Sequence, residues 1–159
     1  MRRRAYVSRR GISRKPRVLV DTTFLLPALG VEVEEDALKA IALFRKLEIY
    51  YLEVGVLEAM WKVIKAIPLE HLEVVKVGLN SIRNTYNMLD IPIEAYIEAY
   101  RIYNEGHKDY IDALYYSTAK IANTPWLTIY KEFIEFLKQH NYKIEGIIYT
   151  PEDLKSIIQ

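Results

Sequence analysis

The sequence contains no cysteine. Disulfides, thiolate zinc sites and cysteine nucleophiles are therefore excluded. The absence suits a reducing compartment, and a cytoplasmic location is expected. There is also no run of about 18 apolar residues, so no membrane-spanning helix and no membrane partner are expected. The apolar stretch from Val18 to Leu29 is broken by Asp21, Thr22 and Thr23, so the basic start is not expected to be a signal peptide. The six glycines are scattered, and none builds a phosphate-cradling loop. The three histidines, His71, His107 and His140, lack metal-ligand spacing, and His107 reads as a loop residue rather than a base. No serine sits in a nucleophile-elbow pattern.

What is present is ample apolar material. Of 159 residues, 51% are hydrophobic, which suits one domain with its own core. The net charge of +1 hides an asymmetry. Eight of the 22 basic groups lie in residues 1–17, which hold no acid, leaving 14 bases against all 21 acids in the rest, a net of −7. Residues 1–16 are expected to form a flexible basic arm ahead of a domain spanning 17–159. Two readings of that arm stand: a solubilising tail, or a segment whose Arg2, Arg3, Arg4, Arg9, Arg10, Arg14 and Lys15 neutralise RNA phosphates. Ile, Tyr, Glu and Lys are plentiful and Gln is rare, a usage seen in proteins that work hot.

Periodicity places the elements. Arg17 to Val20 reads as a buried strand, stopped by Asp21, with Thr22 and Thr23 as capping residues before a short helix that Gly30 ends. Glu34 to Lys46 has helical apolar spacing, with acids in the first turn and bases in the last. Ile49 to Val54 is a second strand, Gly55 to Ile67 a helix that stops before Pro68, and Leu69 to Met88 a long helix. Glu94 to Tyr103, Asp109 to Ile121 and Lys131 to His140 are helical in period. Trp126 to Ile129 and Ile147 to Tyr149 are strands, and Thr150-Pro151-Glu152-Asp153 opens a last helix. Strands separated by helices imply an α/β fold with a parallel sheet.

In such sheets, sites form beyond the carboxyl ends of the strands. Asp21 stands directly after the first strand. Glu58 is placed in the first turn of the next helix, flanked by Val56, Leu57, Ala59, Met60 and Trp61, an apolar setting in which a lone carboxylate is costly. Asp109 and Asp112, three residues apart, share one face of a helical first turn. Carboxylates side by side repel unless a cation lies between them. Oxygen-only ligands suit Mg²⁺ or Mn²⁺ rather than Zn²⁺. A metal so held can orient and ionise a water and stabilise charge on a phosphodiester. The bland alternative is that these acids are caps and surface groups of an unrelated α/β domain, far apart in space.

The segments VLVDTTFLLPALG, LEAMWKV and DYIDALYYSTAKIANTPWLTIYKEF resemble, in this order, the motifs of PIN-domain proteins, including the VapC toxins of toxin–antitoxin pairs, and the overall character is that of an archaeal-type member. The resemblance covers roughly residues 17 to 150, and its last block is the most specific. It implies a three-layer α/β/α fold with a central parallel sheet of four to five strands, one of them near Leu89 to Ile93. It implies a Mg²⁺- or Mn²⁺-dependent endoribonuclease whose metal acids fall on Asp21, Glu58 and Asp112; for a fourth acid the chain itself offers Asp109, ahead of Glu132. Thr22 and Thr128 are expected to support them by hydrogen bonds. Members of this family usually dimerise and bind an antitoxin peptide or protein, so a homodimer and such a partner are implied. The chain departs from the pattern at Tyr130, where an aspartate is usual two residues after the matching threonine. Two functional readings follow: an active ribonuclease, or a weakened or inactive module that binds RNA or a protein.

Overall fold

Val18 and Val20 face one way from the first strand and Leu19 the other, and all three are fully buried. This alternation, the period of a strand with both faces covered, sets the architecture. In the computed structural model, which describes residues 14–159, that strand is β1 (Arg17–Val20), the centre of a five-stranded parallel sheet. The others are β2 (Glu48–Tyr51), β3 (Asn87–Met88), β4 (Trp126–Leu127) and β5 (Ile148–Tyr149), in the order β3-β2-β1-β4-β5. The chain builds outward from β1 to one edge, then returns to build toward the other. The order therefore reverses beside β1, the switch point at which such sheets have their crevice, beyond the carboxyl ends of the strands.

Among the described residues, seven α-helices cover the two faces. On the side of Val18 and Val20 lie α1 (Glu35–Ile41), α2 (Glu53–Ala66), α3 (Leu72–Thr85) and α7 (Leu154–Ile157). On the side of Leu19 and Trp126 lie α4 (Ile93–Asn104), α5 (Tyr110–Ile121) and α6 (Lys131–Gln139). Helix α2 buries Val56, Ala59 and Val63, one stripe at helical spacing. It ends at Ile67, which is extended because Pro68 follows and disfavours helical backbone before it. Helix α3 crosses the 3-10 turn Leu26–Leu29 so closely that a Cβ on Gly78 would stand 2.0 Å from the Ala28 carbonyl oxygen.

The three-layer α/β/α fold is the expected one, and several boundaries move. The second strand stops at Tyr51 and α2 starts at Glu53, so Glu58 lies in the second turn of its helix, not the first. The segment expected as one helix from Leu69 begins with a 3-10 turn (Leu69–His71) and ends at Thr85, which frees Asn87 and Met88 to pair with Tyr50 and Tyr51. The strand expected near Leu89 to Ile93 is thus earlier. Leu89 only closes its ladder, through an N–H bond to the Tyr51 carbonyl (2.9 Å), and Pro92 then starts α4. The first long helix ends at Ile41, with a 3-10 turn at Phe44–Lys46 taking its last residues. Arg2, Arg3, Arg4, Arg9 and Arg10 of the expected arm lie outside the described residues. Arg14 and Lys15 are exposed, and Lys15 donates to the Arg45 carbonyl at 2.8 Å.

Candidate active site

The register Val20↔Leu127 continues by one residue to set Asp21 beside Thr128. Asp21 is the one acid among the described residues that is fully buried, at 1% exposure. Its Oδ1 accepts from the Thr23 N–H (3.0 Å), which makes it the cap of the 3-10 turn Thr22–Phe24. Its Oδ2 accepts from the Thr128 hydroxyl (2.8 Å), and Thr128 in turn accepts from the Tyr130 N–H (3.2 Å). Asp21 and not a threonine is therefore the cap here. Capping alone does not account for its burial, because a cap needs only one of the two oxygens.

Burial pushes the Asp21 carboxyl up to about 7, with a further push from Glu58, against the pull of Thr23, Thr128 and Lys62. Asp112, in the first turn of α5, is pushed up to about 8 by burial, then by the charges of Asp109, Asp21 and Glu58, with Lys62 pulling the other way. Glu58 accepts from the Thr22 hydroxyl at 2.7 Å. The three acids come from β1, α2 and α5, separate segments that the crevice brings within electrostatic reach of one another. Asp109 takes a different place. It is exposed and caps α5, its Oδ1 accepting from the N–H groups of Ile111 (3.0 Å) and Asp112 (3.2 Å).

Two phenols border the acids. The Tyr115 hydroxyl lies 3.4 Å from the Thr22 hydroxyl, and Tyr115 is fully buried, stacked on Trp126. It reaches there because α2 carries Gly55, where a Cβ would stand 1.9 Å from that hydroxyl. The Tyr130 hydroxyl lies 3.3 Å from that of Thr23. Burial first, then the negative charges of Asp21, Glu58 and Asp112, push Tyr130 up, so the residue at the usual fourth-acid position is a neutral phenol. Glu132, in the first turn of α6, is exposed.

Sequence reasoning missed His107 and Lys62. The His107 Nε2 lies 3.2 Å from Asp112 Oδ2. Burial lowers the His107 pKa while Asp112 is raised, so the pair is a hydrogen bond between weakly ionised groups rather than an ion pair. The only trace of it in the sequence is a His two residues ahead of a capping Asp. Lys62 follows Glu58 by four residues on α2, a spacing that puts both on one helix face.

The donor set fits a hard divalent cation in its chemistry. It is all oxygen, and its charges oppose one another in a partly buried crevice that a cation would relieve. Among the described residues no three acids or histidines converge into a ready-made cage. The acids stand close enough to repel, held apart on separate hydrogen-bond partners.

The PIN domain profile matches residues 18–136. A solved structure from Pyrobaculum aerophilum, PAE2754, is similar at a TM-score of 0.59 and 18% identity, covering 91% of this chain and 96% of that one. A toxin-antitoxin complex from Klebsiella pneumoniae is similar at a TM-score of 0.58 and 18% identity, covering 84% of this chain and 97% of that one. No curated protein matches the sequence significantly. No helix among the described residues is long and apolar enough to cross a membrane. The profile spans most of the domain, from the first strand into α6, and takes in Asp21, Glu58 and Asp112: the chain belongs to the PIN domain family.

Proposed function

We propose that this chain is a Mg²⁺- or Mn²⁺-dependent endoribonuclease that hydrolyses RNA phosphodiester bonds, and that it acts as the toxin of a toxin–antitoxin pair. The observation that carries the reading is that Glu58 pushes on Asp21 and that both push on Asp112, three acids from three segments of a PIN fold. Asp21, Glu58 and Asp112 would hold the metal, with Asp109 as a fourth acid nearer solvent. Bound there, a divalent ion supplies charge to stabilise the crowded phosphate and makes water more acidic. Thr128 and Thr23 hold the Asp21 carboxylate in one orientation, and Thr22 does so for Glu58. Arg14, Lys15 and the arginines before them would add salt-dependent affinity for RNA. The likeness to a toxin-antitoxin complex favours an antitoxin as partner, and the family resemblance favours a homodimer working in the cytoplasm.

A second reading is favoured by Tyr130. With a phenol in place of an acid, the site has less charge to bind metal, and the chain would then serve as a module that binds RNA or a protein. Calorimetric titration of Mn²⁺ into the wild type and Asp112→Asn separates the two, together with an RNA cleavage assay with and without Mn²⁺. The nuclease reading expects binding that Asp112→Asn loses and cleavage that Asp21→Asn abolishes. A wild type that neither binds Mn²⁺ nor cleaves RNA, while Tyr130→Asp gains both, identifies the binding module.

A further inference from the structure

Each acid of the cluster has its own hydrogen-bond partner. Asp21 has Thr128 and the Thr23 N–H, and Glu58 has Thr22. For Asp112 among the described residues the partner is His107. The N–H groups at the start of α5 are not free to take this part, because Asp109 Oδ1 already accepts from Ile111 and Asp112. The carboxylate of Asp112 is thus steered from outside its own helix.

His107 is built to do the steering. Gly106 precedes it with φ +128°, a backbone angle that favours glycine, where the chain passes from α4 to α5. The imidazole lies 4.2 Å from the Phe133 ring, centroid to centroid, and 5.3 Å from that of Phe136, both on α6. Two aromatic neighbours fix its plane, and Nε2 then meets Asp112 Oδ2 at 3.2 Å. Side chains of both residues are mostly enclosed, at 17% and 14% exposure, so water competes little for the bond.

We propose that His107 is the positioning residue of the third carboxylate: its ring, clamped by α6, holds Asp112 Oδ2 and leaves Oδ1 to bind the divalent ion. This rests on the metal-dependent reading above. It makes α6, which carries none of the three acids, part of the metal site through Phe133 and Phe136.

Mn²⁺ titration of the full chain at one fixed pH, on the wild type, Asp112→Asn, His107→Phe and His107→Gln, tests it. His107→Phe keeps a ring against Phe133 and Phe136 but has no donor. It is expected to bind Mn²⁺ about tenfold more weakly, while the metal-free protein still unfolds in one cooperative step. His107→Gln keeps an N–H near the Nε2 position and gives up the stack, and it is expected to bind within about threefold of the wild type. Wild-type affinity in His107→Phe would overturn the inference, and so would an affinity in His107→Gln as poor as that in Asp112→Asn. Either result leaves the metal reading standing. Absence of Mn²⁺ binding by the wild type, or undiminished binding by Asp112→Asn, would overturn the metal reading itself and this inference with it.

Discussion

Replacing Asp112 by Asn should stabilise the metal-free protein in alkaline solution. In the folded chain this carboxyl keeps its proton up to about pH 8, whereas its ordinary value is 3.8. Between those values the folded state binds one more proton than the unfolded state, so stability falls as pH rises. The advantage of the protonated form is fully present below about pH 4 and is gone above about pH 8. At about 1.4 kcal/mol for each pH unit, the span from 3.8 to about 8 bounds the loss at roughly 6 kcal/mol. Part of the push comes from Asp109, Asp21 and Glu58. Asp21, itself pushed up to about 7, still holds its proton over much of that range, and the Asp112 side chain keeps 14% exposure, so water screens part of the rest. About half, roughly 3 kcal/mol, should therefore separate the wild type from Asp112→Asn when both are carried from about pH 4 to about pH 9. Asparagine is chosen because it is the same size and its amide still offers His107 a partner. The assay is urea unfolding followed by circular dichroism in the presence of a chelator, with the slope against urea held as a check on two-state behaviour. Parallel loss of stability in the two proteins would refute the reasoning, because Asp112 would then ionise as freely in the fold as out of it.

Thr128→Val removes the donor to Asp21 Oδ2 and the acceptor of the Tyr130 N–H. Urea unfolding should show a loss of about 2 kcal/mol, larger near pH 8 than near pH 5 because the ionised carboxylate depends more on that donor. Gly78→Ala drives a methyl group to 2.0 Å from the Ala28 carbonyl oxygen. Thermal melts should show it destabilised by about 3 kcal/mol, and an unchanged melt would mean that α3 does not pack as described. Removing residues 1–13, which hold five arginines, from an Asp21→Asn background should weaken binding to single-stranded RNA. It should also lower the magnitude of the slope of log affinity against log salt by roughly 0.7 for each phosphate that the arm had neutralised, and an identical slope would leave the arm as a solubilising tail.

The fold was legible wherever one period ran long enough to be read. The apolar stripe Val56, Ala59, Val63 marked α2, and the run Val18-Leu19-Val20 marked a strand covered on both faces. Strand β3 was not legible, since its two residues, Asn87 and Met88, are both exposed and carry no apolar alternation. They are strand only because Tyr50 and Tyr51 lie beside them. Asp21 drew notice because sites in such sheets form beyond strand ends, and Glu58 because a lone carboxylate in an apolar helix is costly. Two of their partners, Thr22 and Thr128, entered only through the family resemblance, and His107 was not picked out as a partner at all. Thr128 is 107 residues from Asp21, and the clamp on His107 comes from a helix some 26 residues further along the chain. Such bonds follow from how the layers stack, which no local window contains. Tyr130 was legible as a departure, but the upward push on its phenol comes from burial first and then from its neighbours in space, Asp21, Glu58 and Asp112.

The sheet ends at both edges in strands of two residues, Asn87–Met88 and Ile148–Tyr149. A long bare edge is a template on which another chain can add its backbone, the usual opening for runaway polymerisation. Here each margin is too brief to guide an incoming strand into register. A rim cut this short offers little to the edge-to-edge pairing by which sheets polymerise.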